Sequence, residues 1–274
     1  MQKPTIITAI TPNYLPYLAV LLRSLSESAN QTTTVDVVVV HKGVSTADQA
    51  LIRTQLDERH GLAWFEHSAD EIARLNAPLE FIRCNSYFYS LLAPYILPDS
   101  DRALYLDADM LVMRDLTPLW QEPLHGHAVG AVTDWLSTFE IAVTRHKELG
   151  VPGDAPYFNA GLLLMDLNQF RADDIAATVW THAEHHPEGL AAPSPQGFGQ
   201  WDQYSYNLAL VGRWHELSTH WNHFSERPVP NEAPAIVHFL GNGKPGRPTC
   251  QPHFTERFLE TVSRTPWPTW RMMR

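Results

Sequence analysis

Cysteine is almost missing: Cys84 and Cys250 are the only two in 274 residues. Two thiols cannot make the disulfide framework of a small secreted domain, and their scarcity points to a reducing compartment. No apolar run approaches the roughly 20 residues that span a bilayer. The first residues, Met1-Gln2-Lys3-Pro4 ahead of a short β-branched run, lack the apolar core and cleavage site of a secretory leader. The expectation is a cytoplasmic chain, either soluble or peripheral on the inner face of the cytoplasmic membrane. Basic charge is also in short supply. Twenty Lys and Arg face 30 Asp and Glu, for a net charge of −10 with histidines neutral, which argues against nucleic acid as a partner. Internal repeats and a clear linker are absent. Disorder is excluded by the 44% hydrophobic content, and a chain of this length buries a sizeable core without staples.

What the chain does have is an alternation of short apolar runs and helical patterns. Thr5 to Ile10 is β-branched and closed by Thr11-Pro12-Asn13, which predicts a buried strand. Leu15, Leu18, Leu21, Leu22 and Leu25 recur at helical spacing, so a helix follows over 14–25. Val35 to Val40 predicts a second strand, of the kind buried on both faces of a parallel sheet. A helix from an N-cap at Ser45 to His60, with Gly61 past its end, comes next. A strand over 63–66, a helix over 85–96 and a strand over 102–106 continue the pattern. Further on, 128–132 and 161–166 read as strands and 173–186 as a helix. Residues 187–200, rich in Pro, Gly and Ala, read as a mobile loop. The alternation predicts an α/β fold on a mostly parallel, Rossmann-like sheet, with one domain over 1–250 and a basic extension over 251–274. Ligands of such sheets bind beyond the carboxyl ends of the strands, where Thr11-Pro12-Asn13-Tyr14 and Asp107-Ala108-Asp109 fall.

Four stretches carry chemistry. In Leu104-Tyr105-Leu106-Asp107-Ala108-Asp109, two carboxylates end an apolar strand. Like charges there raise each other's pKa unless a cation compensates, and carboxylate oxygens suit Mg²⁺ or Mn²⁺. The bland alternative is a strand-to-loop turn with an aspartate capping a following helix. In Val237-His238-Phe239-Leu240-Gly241-Asn242-Gly243-Lys244, an imidazole ends a strand before a glycine-rich turn and a lysine. This offers a metal ligand, backbone donors and a cation for a phosphate, although one histidine among 14 is equally a core residue. Phe158-Asn159-Ala160-Gly161 and Trp201-Asp202-Gln203 place amides and a carboxylate beside apolar backbone, as suits sugar hydroxyls. His182-x-x-His185-His186 has metal spacing but reads better as a solvated helix end.

In this order the pieces resemble the family 8 glycosyltransferases, the retaining group that includes bacterial lipopolysaccharide galactosyl- and glucosyltransferases and glycogenin. The resemblance spans about residues 5 to 250 and implies a GT-A type fold. It implies a UDP-sugar donor carrying galactose or glucose, a glycan or glycolipid acceptor, and Mn²⁺ (or Mg²⁺) as cofactor. Asp107, Asp109 and His238 match the family's metal ligands, and Lys244 matches the lysine on the donor diphosphate. Thr11, Asn13 and Tyr14 match the loop around the nucleotide base; Ala108 and Gly241 fall within matched donor-binding stretches. Asn159, Ala160, Gly161, Asp202 and Gln203 match the lining of the donor sugar, with Gln203 and Asp202 the expected catalytic pair.

Three positions depart from the family pattern. Ser90 stands where many relatives carry an arginine that contacts the donor, with Arg83 or Lys42 left to compensate. Thr11 replaces an acidic residue near the base, and Tyr204 follows Asp202-Gln203 where some relatives have a further aspartate. An altered donor or reduced activity follows as an alternative, down to a nucleotide-sugar-binding protein without turnover. The haloacid dehalogenase-like phosphatases also open on a strand followed by Asp-x-Asp, but usually on the first strand. A nucleotidyltransferase would show a basic, glycine-rich loop after its first strand. The tail from Lys244 to Arg274 has six basic residues against Glu256 and Glu260, hence +4, which leaves the rest of the chain at −14. Arg257, Phe258, Arg264, Trp267, Trp270 and Arg271 interleave cations and aromatics there. That pattern suits peripheral contact with an anionic membrane surface or an aromatic face packed back on the domain.

Overall fold

The computed structural model describes residues 3–83, 85–186 and 200–268. In chain order its strands are β1 (Thr5–Ile10), β2 (Asp36–His41), β3 (Gly61–Glu66), β4 (Arg102–Leu106), β5 (Met110–Val112), β6 (Val129–Thr138), β7 (Pro156–Asp166), β8 (His215–Glu216), β9 (His223–Phe224) and β10 (Ile236–His238). The described helices of eight or more residues are α1 (Leu15–Ser28), α2 (Thr46–Arg53), α3 (Ile175–His185), α4 (Trp201–Ala209) and α5 (Pro252–Ser263). Seven strands form a mostly parallel sheet in the order β3-β2-β1-β4-β7-β6-β8, and β5-β10-β9 form a smaller one. This is the α/β class that the alternation predicts.

The chain divides into two compact units. The first comprises Met1–Glu71, Leu106–Glu122 and Ser218–Arg274. Its β1, β2 and β3 run parallel, with Ile6 opposite Val37 and Val37 opposite Leu62. Val37 to Val40 are all buried, as a valine run covered on both faces must be. The predicted leucine stripe of α1 is buried together with Ser24. Ser24 and Ser28 lie one turn apart, and their hydroxyls treat β5 as a further strand would. Val112 N–H donates to Ser24 Oγ at 3.0 Å, and Ser28 Oγ donates to Val112 O at 2.9 Å. The other edge of β5 pairs antiparallel with β10, Met110 opposite His238. Both edges of this three-residue strand are therefore satisfied, and the residues before it are fixed.

α5 lies in the basic tail. Pro252 sits in its first turn, where a missing N–H costs nothing. Phe254 and Phe258 are fully buried and pack with Tyr17, Val20, Leu111 and Phe239. These two phenylalanines therefore face inward. Arg257 pairs with Glu260 at 3.1 Å, and Arg264 with Glu260 and Glu27 at 3.1 and 2.8 Å. Trp270, Arg271 and Arg274 lie outside the described residues, as does Cys84.

The second unit comprises Ile72–Tyr105 and Pro123–Leu217. β6 and β7 pair antiparallel, with a break: Thr133 faces Phe158, and the next paired residue, Thr138, faces Pro156. Such bulges re-aim side chains, and Asp134 falls inside this one. Three expectations need adjustment. The helix after Ser45 stops at Arg53, because the backbone turns at Thr54 and again before His60. The segment over 85–96 is a 3-10 helix (Ser86–Leu92) followed by one α-turn (Ala93–Ile96) with Pro94 at its start, since proline at 94 cannot donate into a continuous helix. The strands over 128–132 and 161–166 extend to Thr138 and back to Pro156. Of the loop expected over 187–200, residues 187–199 lie outside the described residues.

Candidate active site

Asp107, Ala108 and Asp109 form the turn between β4 and β5. A strand, not a helix, follows Asp109, so the helix-capping alternative for this motif is ruled out. Phe239 N–H donates to Asp109 O at 3.0 Å, which extends the β5–β10 ladder to Asp109 and brings it beside His238. His238 Nε2 is 3.3 Å from Asp109 Oδ1 and 3.6 Å from Asp107 Oδ2. The three ligand atoms all lie within 4.8 Å of one another. An ion with bonds of about 2.1 Å needs neighbouring ligands roughly 3 Å apart, so small adjustments close this set on a cation. The imidazole is prepared for that task. Its Nδ1 lies 3.1 Å from Asn222 Oδ1, an acceptor for the Nδ1 proton, and this contact turns Nε2 toward the carboxylates. With the proton held on Nδ1, Nε2 could give its lone pair to a cation shared with the two carboxylates. Among the described residues, this is the one group of three histidine or acidic side chains in such reach; the histidines at 182, 185 and 186 make no such group.

Lys244 supplies part of the charge. Its ammonium donates to Asp109 Oδ2, the oxygen not turned to His238, and lies 4.7 Å from the Tyr17 ring centre and 5.2 Å from that of Tyr14. Burial alone would raise the Asp109 carboxyl, but the Lys244 charge outweighs it and holds the group far below the usual carboxylate range. Burial would likewise lower the Lys244 ammonium; the Asp109 charge outweighs it and raises the group. The turn that delivers Lys244 needs its glycines. Gly241 has φ +51°, and a Cβ on Gly243 would lie 2.5 Å from Ser225 Oγ, which donates to Gly243 O. Thr11, Asn13 and Tyr14 surround a 3-10 turn at the carboxyl end of β1, where the Thr11 hydroxyl donates to Asn13 Oδ1.

The second unit holds the other predicted residues. Asn159 Nδ2 donates to Asp134 Oδ2 at 2.9 Å and to Gln203 Oε1 at 3.0 Å, and Ala160 N–H donates to the same Gln203 oxygen at 3.2 Å. Asn159 Oδ1 accepts from Gly161 N–H at 3.1 Å. One turn along α4, Asn207 grips β7 at Phe158: it accepts from the N–H at 2.9 Å and donates to the carbonyl at 2.8 Å. Asp202 is half-buried on the first turn of α4. Burial first, then the charges of Asp134, Tyr204 and Asp202, push the buried Tyr157 hydroxyl well above its usual value.

The pattern of glycosyl transferase family 8 matches residues 5–249. The chain belongs to this family. General stress protein A of Bacillus subtilis (strain 168) is 24% identical over 297 residues, covering 96% of this chain and 94% of the relative. A lipopolysaccharide 1,3-galactosyltransferase of Salmonella typhimurium is 27% identical over 193 residues, covering 66% of this chain and 55% of the relative. Among solved structures, the galactosyltransferase LgtC in complex with donor and acceptor sugar analogues aligns with a TM-score of 0.74 at 25% identity, over 96% of each chain. This family 8 glycosyltransferase thus has the GT-A fold.

Sequence patterns alone did not reveal Asn222, Tyr17, Asp134 or Asn207. Tyr17 falls three residues after Tyr14 on the same helical face, the one signal available for it. Ser90, at the arginine position, is fully buried, and its hydroxyl shares a 2.9 Å hydrogen bond with the Tyr206 hydroxyl on α4. Arg83 does not supply a spare cation, since it pairs with Glu184 at 2.5 Å. Lys42 is exposed.

Proposed function

We propose that this glycosyltransferase moves a galactosyl or glucosyl group from a UDP-sugar to a hydroxyl of a glycan or glycolipid, with retention of anomeric configuration and dependence on Mn²⁺ or Mg²⁺. The observation that carries the proposal is the Asp107–Asp109–His238 set with Lys244 bound to the far oxygen of Asp109. Asp107, Asp109 and His238 would hold the cation, which supplies charge to the departing diphosphate. Lys244 neutralises the same leaving group from its own side. Tyr14 and Asn13 hold the base, with Thr11 setting the Asn13 amide. Asn159 and Asp202 orient the sugar, and Gln203 stabilises charge near the anomeric carbon; the acceptor hydroxyl gives its proton to a leaving-group oxygen. The galactosyltransferase names among the relatives favour galactose as the hexose. The name of the Salmonella relative favours a surface-glycan or glycolipid precursor as the acceptor. Such an acceptor would place the enzyme at the inner face of the cytoplasmic membrane. No described helix is long and apolar enough to cross a membrane, and the contact would fall to the basic extension over 251–274.

Calorimetry with UDP, GDP, UDP-galactose, UDP-glucose and UDP-N-acetylglucosamine, with and without Mn²⁺, tests the donor half. Heat that requires both a UDP-sugar and Mn²⁺, and vanishes in Asp109→Ala, is the expected result. Binding that is indifferent to metal would sink the proposal. Gln203→Ala should lower kcat by on the order of a hundredfold with donor affinity kept, and an unchanged kcat would remove Gln203 from the chemistry. The alternative of donor binding without turnover draws on Ser90, which is sealed against Tyr206 and brings no charge. Release of free hexose from the donor in the absence of acceptor would exclude it.

A further inference from the structure

Lys244 is held by more than its ion pair. Its side chain is 15% exposed, and a flexible four-carbon stem seldom stays in one rotamer without walls. Here the walls are two tyrosines one helical turn apart. Tyr14 closes the 3-10 turn after β1, and Tyr17 lies in the first turns of α1; their ring centres are 5.3 Å apart. Tyr17 is the nearer to the ammonium, at 4.7 Å from ring centre to nitrogen, and it is itself fixed by Phe258 of α5 at 5.5 Å. Burial pushes the Tyr17 hydroxyl up to about 12, so the ring meets Lys244 as a neutral phenol. A neutral ring attracts a cation through the electron density of its face.

We propose that Tyr17 is a positioning residue: its ring face seats the Lys244 ammonium on Asp109 Oδ2, leaving Oδ1 turned to His238. Through that one side chain, Tyr17 sets both the orientation of a metal-ligand carboxylate and the place where a diphosphate meets its lysine. The proposal rests on the function proposed above for Lys244 and extends it to a residue outside the candidate metal set and the donor-binding positions named there.

The test varies ring electronics at constant shape. Tyr17→Phe, and the same position carrying singly to multiply fluorinated phenylalanine, is titrated with UDP in saturating Mn²⁺ by calorimetry, with melting temperatures recorded alongside. Removing the ring's negative face should weaken UDP binding stepwise, by on the order of tenfold across the series, while the unfluorinated Phe variant stays within about twofold of the parent. Lys244→Met should abolish the slope. A role in packing alone predicts a flat series, because fluorination changes ring charge far more than ring volume; a flat series overturns the proposal. A second readout needs no nucleotide: the Lys244 side-chain NMR signals should be shifted upfield by the two rings and relax toward ordinary values in Tyr17→Leu. If that shift is present and UDP fails to bind, the assignment of the diphosphate to Lys244 falls while the seat stands. An absent shift removes the seat itself.

Discussion

Asp109 uses its two oxygens for different partners, and the division shows how a buried carboxylate stays ionised. An uncompensated charge at 8% exposure would cost several kcal/mol, so the group needs a cation beside it. Lys244 takes Oδ2, and Oδ1 is turned with His238 Nε2 to where the proposed cation would sit. His238 can serve there only if its proton stays on the far nitrogen, a condition set by Asn222. Asn222→Ala should therefore weaken Mn²⁺ binding about 10- to 100-fold while the fold persists, measured by calorimetry on the enzyme without donor. Equal affinity in the variant would show that Asn222 does not set the tautomer. The three candidate ligands, Asp107, Asp109 and His238, could be picked out in the sequence because they follow or end apolar strands and carry chemically distinctive groups. Asn222 was not, since it lies 16 residues before its partner and an asparagine before a two-residue strand has no pattern of its own.

Elements place these residues through contacts that periodicity does not encode. β5 is three residues long, too short to announce itself between the aspartates and Met113, yet Asp109 depends on it. Its stability comes from β10 on one edge and from hydroxyls of α1 on the other. Ser24→Ala leaves the Val112 N–H buried without a partner and should cost about 1 to 3 kcal/mol, read from the urea midpoint; a change within about 0.3 kcal/mol would show that solvent can replace the serine. The valine run of β2 and the leucine stripe of α1 were readable because burial on both faces and on one face leave different periods. For α5 the sequence left two readings open, a membrane-facing tail and an aromatic face packed back on the domain, although Phe254, Phe258, Thr261 and Val262 fall on one helical face. Its arginines drew attention to solvent, and their pairing with Glu260 and Glu27 is a matter of three-dimensional position. The grip of Asn207 on β7 escaped for the same reason: a side chain replacing a strand neighbour leaves no trace in the alternation.

Across the whole molecule, the titrating groups predict a direction for acid sensitivity. Burial lowers the pKa of His41, His60, His182, His220 and His223 from the ordinary 6.5, and for each it is the largest cause. A histidine with a lowered folded-state pKa binds fewer protons folded than unfolded once the pH drops below about 6.5. Unfolding then takes up protons, and stability falls as pH falls. The contribution is complete above the unfolded value and is lost as the pH passes down through the folded ones. Asp115 adds to the loss further down: burial raises it, but hydrogen bonds from Asn30 and Thr117 win and lower it, so its stabilisation disappears only below the usual carboxylate range. Groups shifted the other way, Tyr17, Tyr95, Tyr157, Lys244 and Cys250, titrate above neutrality and do not offset this loss. The urea midpoint should therefore be lower at pH 5.5 than at pH 7.5, with the denaturant slope unchanged. A midpoint that stayed level would mean that these imidazoles keep their ordinary affinity for protons in the folded chain, through water reaching rings that the packing encloses.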